Sequence, residues 1–186
     1  RLKVACDQRA KICDRKNQNP QLEAAVFYCL LYTGLRESEL SSLNIGQYHH
    51  GGFHQVKRKG KKVTRKVPVP SEAQSKLDEY LENRVGEKEE EEKHPLFLSR
   101  YGNRLHPRDI YRIMDRICKQ ASAQLPENEK MRLSPHMLRH SFLKRVADKQ
   151  GIHVAQALSG NVSMREIFRY TSPSQDEVDE MVEQII

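Results

Sequence analysis

The sequence predicts a mainly α-helical (α+β) domain, a helical bundle with one small antiparallel β-hairpin. Apolar residues recur at helical spacing over most of the chain, and the spacing changes to alternation only in "GGFHQVKRKGKKVTRKVPVP", residues 51–70. The length of 186 residues and the 37% hydrophobic content suit a single domain with one core. No apolar run approaches the roughly 20 residues that cross a bilayer, so we expect no membrane partner.

The first clear helix follows residues 1–18, which we interpret as a lead-in segment. Asn19 is a favourable N-cap, Pro20 suits the first helical position, and Gly34 suits the position after the last turn. Between them, apolar residues form a stripe at helical spacing: Leu22, Ala25, Val26, Cys29 and Leu30. The segment "RESELSSL" predicts a short second helix directly after Gly34.

Residues 51–70 predict two strands joined by a glycine-containing turn. Val63, Arg65 and Val67 alternate with Thr64 and Lys66, which is typical of a strand with one buried face. The lysines and arginines of this segment would then lie on a hairpin with a mobile tip.

The segment after the hairpin predicts further helices. Ser71 and Gln74 form a capping box for a helix that ends near Val85 and is closed by Gly86. The acidic run 87–92 predicts an exposed loop, and "LFLS" a short strand. A long helix follows, marked by Ile110, Ile113, Met114, Ile117 and Ala121.

The last third of the chain is predicted to be helical as well. Ser134 and Pro135 begin a helix that ends before Gly151. We predict two short helices around 154–158 and 164–170. A final helix opens at Pro173, with an apolar stripe formed by Val178, Met181, Val182, Ile185 and Ile186.

The charge distribution indicates a nucleic-acid partner. The chain has a net charge of +7 and a pI near 9.3. Seven Lys or Arg and no acid fall between Gly51 and Val67, whereas acidic residues concentrate in 87–92 and after Asp176. Such a basic face is the usual electrostatic footprint of a nucleic-acid binder, although basic surfaces without that function are common.

Tyr170 is a candidate nucleophile. A phenol has an ordinary pKa near 10 and attacks a phosphodiester slowly unless cationic groups stabilise the charge that develops on the phosphate oxygens. "SPHMLRHSF" places His136 and Arg139 on one helix face near the helix N-terminus, which favours an anion. Arg36 lies at a turn into a helix, with Glu39 one turn on to hold its guanidinium, and Lys59 lies at the hairpin tip.

Four segments together resemble the tyrosine recombinases of the phage integrase family. They are "YTGLRESELSSLNIGQ", "VKRKGKKVTRKVPVP", "LSPHMLRHSF" and "GNVSMREIFRYT", in that order along the chain. The resemblance implies that Tyr170 is the nucleophile and that Glu39 and His140 support the site. It implies a catalytic set of Arg36, Lys59, His136, Arg139 and Tyr170, and we add Asn161, discussed below.

The resemblance also implies a reaction and its partners. The family cuts and rejoins double-stranded DNA at specific recombination sites through a 3′-phosphotyrosyl intermediate, with no metal, ATP or other cofactor. It implies a tetramer on paired sites, in which a C-terminal helix such as 173–186 docks on a neighbouring protomer; packing on its own domain is the alternative. It further implies a prokaryotic, cytoplasmic protein associated with the nucleoid.

The chain also differs in extent from such an enzyme. Recombinases of this family have a separate DNA-clamping domain on the N-terminal side, and residues 1–18 are too few to form one. The chain begins at Arg1 rather than Met, so we expect it to be a piece of a longer protein, and we interpret residues 1–186 as its single catalytic domain. We expect DNA contacts from the hairpin residues Lys57, Arg58, Lys61 and Lys62. The three lysines among them are also alternatives to Lys59 as the hairpin's catalytic lysine.

Asn161 departs from the family pattern. Nine residues before the tyrosine the family usually has His or sometimes Trp, and here "SGN" ends in an amide. An amide donates a hydrogen bond to a phosphate oxygen but transfers no proton at neutral pH. Asn161 either contacts the scissile phosphate or caps the short helix that begins near Ser163.

Other functions and sites remain as alternatives at this point. A DNA-binding regulator that has lost catalysis would fit the change at Asn161, and a type IB topoisomerase would share the chemistry. The histidines 49, 50 and 54 resemble a metal cluster only loosely, because no Cys or carboxylate stands at ligand spacing, and we predict no metal site.

Overall fold

The computed structural model describes most of the chain, and its helices and strands belong to two compact units. The units are residues 1–142 and 143–186, and each is described by itself. The residues that the structure describes are 1–12, 19–60, 62–84, 93–160, 178–179 and 182–183.

The first unit contains most of the helices and the sheet. Its helices are α1 (Leu2–Ile12), α2 (Pro20–Thr33), α3 (Glu37–Ser41), α4 (Ser71–Glu82) and α5 (Pro107–Ala121). Short 3₁₀ turns lie at Ile45–Gln47 and Glu127–Glu129. The mainly helical fold class is therefore confirmed. Helix α1 was not predicted, because no capping residue marks its start.

Helix α2 forms the centre of the core. The Asn19 side chain accepts a hydrogen bond from the Leu22 N–H at 2.9 Å, and Gly34 ends the helix at φ 61°, so both predicted ends are confirmed. The predicted apolar stripe included too few of the buried residues of α2. Residues on every face of α2 are buried, since α1, α4 and α5 all pack against it.

A buried carboxylate joins three of these helices. Glu23 of α2 is 1% exposed and accepts hydrogen bonds from Arg9 of α1 at 2.9 Å and Arg116 of α5 at 2.7 Å. Two guanidinium groups compensate the cost of removing the carboxylate from water. Helix α1, in the lead-in segment, is thus part of the folded unit.

The sheet has the order β1-β2-β3 and is antiparallel throughout. Its strands are β1 (Tyr48–His49), β2 (Gly52–Lys57) and β3 (Val63–Pro68). The predicted β2–β3 hairpin is confirmed, with Gly60 at φ 80° in its turn; β1 was not predicted. Phe53 pairs with Val67 and both are buried, whereas Val63 is 55% exposed and does not share the buried face expected for it.

Helix α4 begins differently from the prediction. Its N-cap is Pro70, and the side-chain amide of Gln74 donates to the Val69 carbonyl at 2.6 Å, so the predicted Ser71–Gln74 capping box is wrong. The helix ends at Glu82; Val85, Gly86 and the acidic run lie outside the described residues.

The segment "LFLS" and helix α5 give contrasting outcomes. "LFLS" forms a single β-bridge, from Leu98 to Arg104, in place of the predicted strand. Helix α5 is confirmed, and its apolar stripe is buried: Ile110, Ile113, Met114 and Ile117.

Helix α6 (Pro135–Gln150) begins in the first unit and ends in the second, before Gly151 as predicted. Helix α7 (Ile152–Ser159) follows and ends at Gly160, φ 63°. The predicted helix 164–170 lies outside the described residues, as does most of 173–186. None of the described helices is long and apolar enough to cross a membrane.

Candidate functional site

Arg36 lies in the short connection between α2 and α3. Its backbone N–H donates to Glu39 Oε2 at 3.0 Å, and its guanidinium Nη1 donates to Glu39 Oε1 at 2.9 Å. The Arg36 side chain keeps 23% of its surface exposed, while that of Glu39 keeps 4%. A buried carboxylate thus fixes an arginine that still reaches the surface, as the sequence predicted for this pair.

Arg58 completes this cluster from the base of the hairpin. Its Nη1 donates to Glu39 Oε2 at 2.7 Å, and its Nε donates to Thr64 Oγ1 at 2.9 Å. The side chain is 1% exposed. The prediction that Arg58 contacts DNA from the hairpin surface is therefore corrected: its guanidinium lies in the interior, where a carboxylate and a hydroxyl occupy its donors.

The electrostatics of the cluster keep Glu39 ionised. Burial by itself would raise the pKa of the Glu39 carboxyl, but the Arg36 N–H, the charge of Arg58 and the two guanidinium hydrogen bonds together hold that pKa below its ordinary value of 4.5. The carboxylate therefore remains charged at neutral pH and orients both arginines.

Arg139 of α6 contacts the same loop. The residue is 2% exposed, and its Nη1 donates a short hydrogen bond to the Gly34 carbonyl, two residues before Arg36. Gly34 is required here for two reasons. Its φ of 61° favours glycine, and a Cβ would come within 2.4 Å of the Phe142 ring, one helical turn after Arg139.

The far end of α3 is held by contacts that the sequence did not reveal. Arg104 Nη1 donates to the carbonyls of Ser41 at 3.0 Å and Leu43 at 2.8 Å, which cap the helix. The Ser41 hydroxyl donates to the Leu105 carbonyl at 2.5 Å. Because these partners lie about 60 residues away, no local pattern announces them.

The hairpin lysines lie outside this buried cluster. Lys57, Lys59 and Lys62 are all exposed, and the Arg58 N–H donates to the Lys62 carbonyl at 2.7 Å to close the turn. Lys61 lies outside the described residues. The exposed lysines are thus available to a ligand, in contrast to the arginine between them.

The two histidines of α6 have different surroundings. His136 is exposed in the first turn, three residues before Arg139, and His140 is half-buried. Tyr170 and Asn161 lie outside the described residues.

The histidines of the sheet stack on each other. The rings of His49 and His54 are parallel with centroids 3.9 Å apart, and His50 lies edge-on to His49 at 5.2 Å. Within the described ranges, no group of three or more His, Cys, Asp or Glu side chains is arranged to hold a metal ion.

The arrangement is suited to binding an anion, such as a phosphate, whose negative charge increases during a reaction. Two arginines from distant parts of the chain are fixed at one loop by buried acceptors. Exposed lysines lie on either side of Arg58 in the sequence, and Arg58 joins the hairpin to Glu39. Fixed guanidinium groups stabilise a developing phosphate charge without reorganisation during the reaction.

Comparison with known sequences agrees with this geometry. The profile of the phage integrase family matches residues 5–177, most of the chain. The chain belongs to the phage integrase family.

The curated phage integrase relatives include Xer recombinases. The tyrosine recombinase XerC of Pseudomonas syringae pv. tomato is 34% identical over 151 residues, which are 80% of this chain and 47% of the relative. The tyrosine recombinase XerD of Chlamydia pneumoniae is 32% identical over 162 residues, 85% of this chain and 50% of the relative. The chain thus spans about half the length of these relatives.

Solved structures of the family share the fold. XerA recombinase superposes with a TM-score of 0.75 at 24% identity, over 98% of this chain and 62% of that one. XerH recombinase bound to a palindromic difH substrate, in a post-cleavage complex, superposes with a TM-score of 0.76 at 21% identity, over 97% and 49%. The fold of this phage integrase domain is that of tyrosine recombinases.

Proposed function

We propose that this chain is the catalytic domain of a site-specific DNA recombinase or integrase. The observation that carries the proposal is the contact of Arg139 with Gly34, which brings a second arginine to the loop of Arg36 across 105 residues of sequence. The named tyrosine recombinases among its relatives support the same conclusion. An exposed lysine tip beside this loop supports double-stranded DNA as the substrate.

The reaction is a transesterification. The Tyr170 oxygen forms a bond to the scissile phosphorus as the bond to the 5′-oxygen breaks, which leaves a 3′-phosphotyrosyl link and a 5′-hydroxyl. The proton of the Tyr170 hydroxyl leaves to His136 or solvent, and Lys59 gives a proton to the departing 5′-oxygen. One phosphoester replaces another, so a second strand's hydroxyl reverses the step without an external energy source.

The arginines act on the phosphate itself. Arg36 and Arg139 hold its non-bridging oxygens, where charge accumulates in the transition state. Glu39 and His140 keep α6 and the arginine loop, residues 34–36, in place. Asn161 donates a hydrogen bond to the same phosphate, in place of a proton-transferring side chain.

The partners follow from this chemistry. Two paired DNA sites and four protomers would exchange strands, with the helix 173–186 docking on the next protomer and a clamping domain outside this chain enclosing the DNA. Such a protein would act in the cytoplasm, at the nucleoid of a prokaryote or on a mobile element.

Covalent capture tests the proposal without knowledge of the target. The chain is incubated with a pool of DNA duplexes that have randomised arms and a nick near the central phosphates, so that a cleaved end diffuses away and traps the intermediate. Denatured protein is recovered, and the attached DNA is sequenced. We expect adducts with one enriched site, attached through Tyr170, and none with Tyr170→Phe, which should bind the enriched site as well as the parent chain.

The other outcomes exclude the proposal or redirect it. Binding of an enriched site without any adduct would indicate a regulator that uses the same fold. An adduct that persists in Tyr170→Phe would place the nucleophile elsewhere. Relaxation of supercoiled plasmid without strand exchange between paired sites would indicate a topoisomerase.

A further inference from the structure

The residue before the hairpin lysine has an unusual environment. Lys59 is exposed. The side chain of the preceding residue, Arg58, is only 1% exposed and is more deeply buried than its ion-pair partner Glu39, at 4%. An arginine that only strengthened DNA binding would gain nothing from such burial, because a charge removed from water is costly unless it is matched.

A kink in β2 turns Arg58 inward. In a regular strand, buried residues alternate, yet Phe53 and Val56 are both fully buried although they are three residues apart. Between them Gln55 has φ 50°, a left-handed conformation that is rare for a residue other than glycine. The kink shifts the alternation by one residue, so that Val56 and Arg58 face the interior and Lys57 and Lys59 face solvent.

The kink is held by a side chain outside the strand. Gln47 Nε2 donates to the carbonyls of His54 at 2.9 Å and Gln55 at 3.0 Å. These two carbonyls belong to the peptide groups before and after the Gln55 Cα, where the backbone is kinked. The kink at Gln55 is therefore stabilised by hydrogen bonds from another part of the fold.

Arg58 then connects the base of the turn to the arginine loop. Its backbone N–H bonds the Lys62 carbonyl, its Nε bonds Thr64 on the opposite strand, and its Nη1 bonds Glu39, whose other oxygen holds Arg36. The backbone of Lys59 thus starts from an anchored residue.

We propose that Arg58 is a positioning residue for Lys59, aimed inward by the Gln55 kink and anchored on Glu39 and Thr64. The inference rests on the proposed function, in which Lys59 protonates the leaving 5′-oxygen. Arg58 does not touch the DNA; it restricts where the lysine of the hairpin tip can deliver its proton.

The test separates proton delivery from general loss of structure. Single-turnover cleavage of the captured site is compared with cleavage of the same duplex carrying sulfur in place of the bridging 5′-oxygen. A thiol has a pKa of about 8.5 and leaves without protonation, so a defect in proton delivery disappears with the sulfur substrate. Lys59→Ala is the reference and should lose about 10²–10⁴-fold on oxygen and little on sulfur.

The Arg58 variants are Arg58→Met, which keeps the length of the side chain, and Arg58→Lys. We expect Arg58→Met to slow the oxygen substrate at least about tenfold, with the sulfur substrate within about threefold of the parent, and Arg58→Lys to lie between the two. Lys119→Met removes an exposed charge on α5 and should change neither rate. Equal slowing of both substrates by Arg58→Met, or no slowing, overturns the proposal.

A second pair of variants tests the kink if Arg58→Met fails to fold. Gln55→Gly tolerates the left-handed conformation and should behave as the parent, whereas Gln55→Val disfavours it and should reproduce the selective loss on the oxygen substrate. Identical behaviour of the two variants overturns the role of the kink. A parent chain that forms no adduct with either substrate refutes the proposed function itself, and the role of Arg58 falls with it.

Discussion

Two adjacent basic regions of this protein have opposite designs. The buried cluster, which consists of Arg36, Arg58 and Arg139 with Glu39, fixes each guanidinium on an oxygen acceptor of the protein. The described lysines at the hairpin tip, Lys57, Lys59 and Lys62, are exposed to solvent. A count of positive charges does not distinguish the two regions.

The difference corresponds to two physical tasks. Stabilising a transition state requires donors that are in place before the charge develops, and buried acceptors provide that order. Attracting a polyanion and releasing its counterions requires only that charges face solvent near the phosphates. We therefore expect changes in the buried cluster to alter stability and rate. Changes at the tip lysines other than Lys59, the proposed proton donor, should alter affinity and its salt dependence.

The largest effect is expected for Glu39→Gln, which leaves two guanidinium groups without their shared charge. Removing one partner of a buried ion pair costs about 3–5 kcal/mol, measured as the free energy of unfolding in denaturant titrations. Since the folded-state pKa of Glu39 lies below 4.5, the charge contributes stability above the unfolded pKa. The difference between parent and variant should shrink as pH falls below about 4.5 toward the folded pKa; a pH-independent difference would contradict the assignment.

Arg36→Ala is expected to act on the rate. Loss of one transition-state donor slows single-turnover cleavage by roughly 10²–10³, with little change in DNA affinity. Lys119→Ala, which removes an exposed charge that is 76% accessible, serves as the control and should cleave normally. A near-parental rate for Arg36→Ala would remove this residue from the catalytic set.

Gly34→Ala tests the contact between the loop and α6. Gly34 and Gly102 both have positive φ, but a Cβ at Gly102 meets nothing within 4 Å, whereas at Gly34 it meets Phe142. Gly102→Ala should therefore cost only about 1 kcal/mol of unfolding free energy in backbone strain, and Gly34→Ala about 1–3 kcal/mol more from overpacking. Equal costs would indicate that Phe142 moves aside freely.

The double change Lys61→Ala and Lys62→Ala tests the tip. If both lysines touch phosphates, the slope of log affinity against log salt should fall by up to about two units, while thermal stability stays unchanged. The control is the pair Lys119→Ala and Lys130→Ala, exposed lysines on α5 and the following loop. An unchanged slope for the hairpin pair would place the tip away from DNA.

The smallest effect is expected at Asn161. Asn161→His should hold or raise the cleavage rate by up to about tenfold, which corresponds to about 1.4 kcal/mol of barrier. Asn161→Ala should lower the rate, by less than the loss of an arginine. If Asn161 only caps a helix, the Ala variant should instead lose about 1 kcal/mol of stability and cleave normally per folded molecule. Melting temperature and single-turnover rate on the same preparation decide between them.

Local signals in the sequence determined the elements around the site. The caps of α2 at Asn19 and Gly34, the glycine turn of the hairpin and the start of α6 near Pro135 depend on hydrogen bonds within a few residues, and these were predicted. The family motif placed Arg36, Lys59, His136 and Arg139 by the same kind of short pattern. A spacing of three between Phe53 and Val56 was a further signal, since it breaks strand alternation.

Only the tertiary structure decided how the charges are used. Arg58 and Lys59 are neighbours in a basic run, and their separation into interior and surface depends on the Gln55 kink and on a carboxylate 19 residues away. Arg139 meets the Gly34 carbonyl across 105 residues. Such contacts depend on which acceptors the packed helices bring within about 3 Å, and no periodicity along the chain encodes that distance.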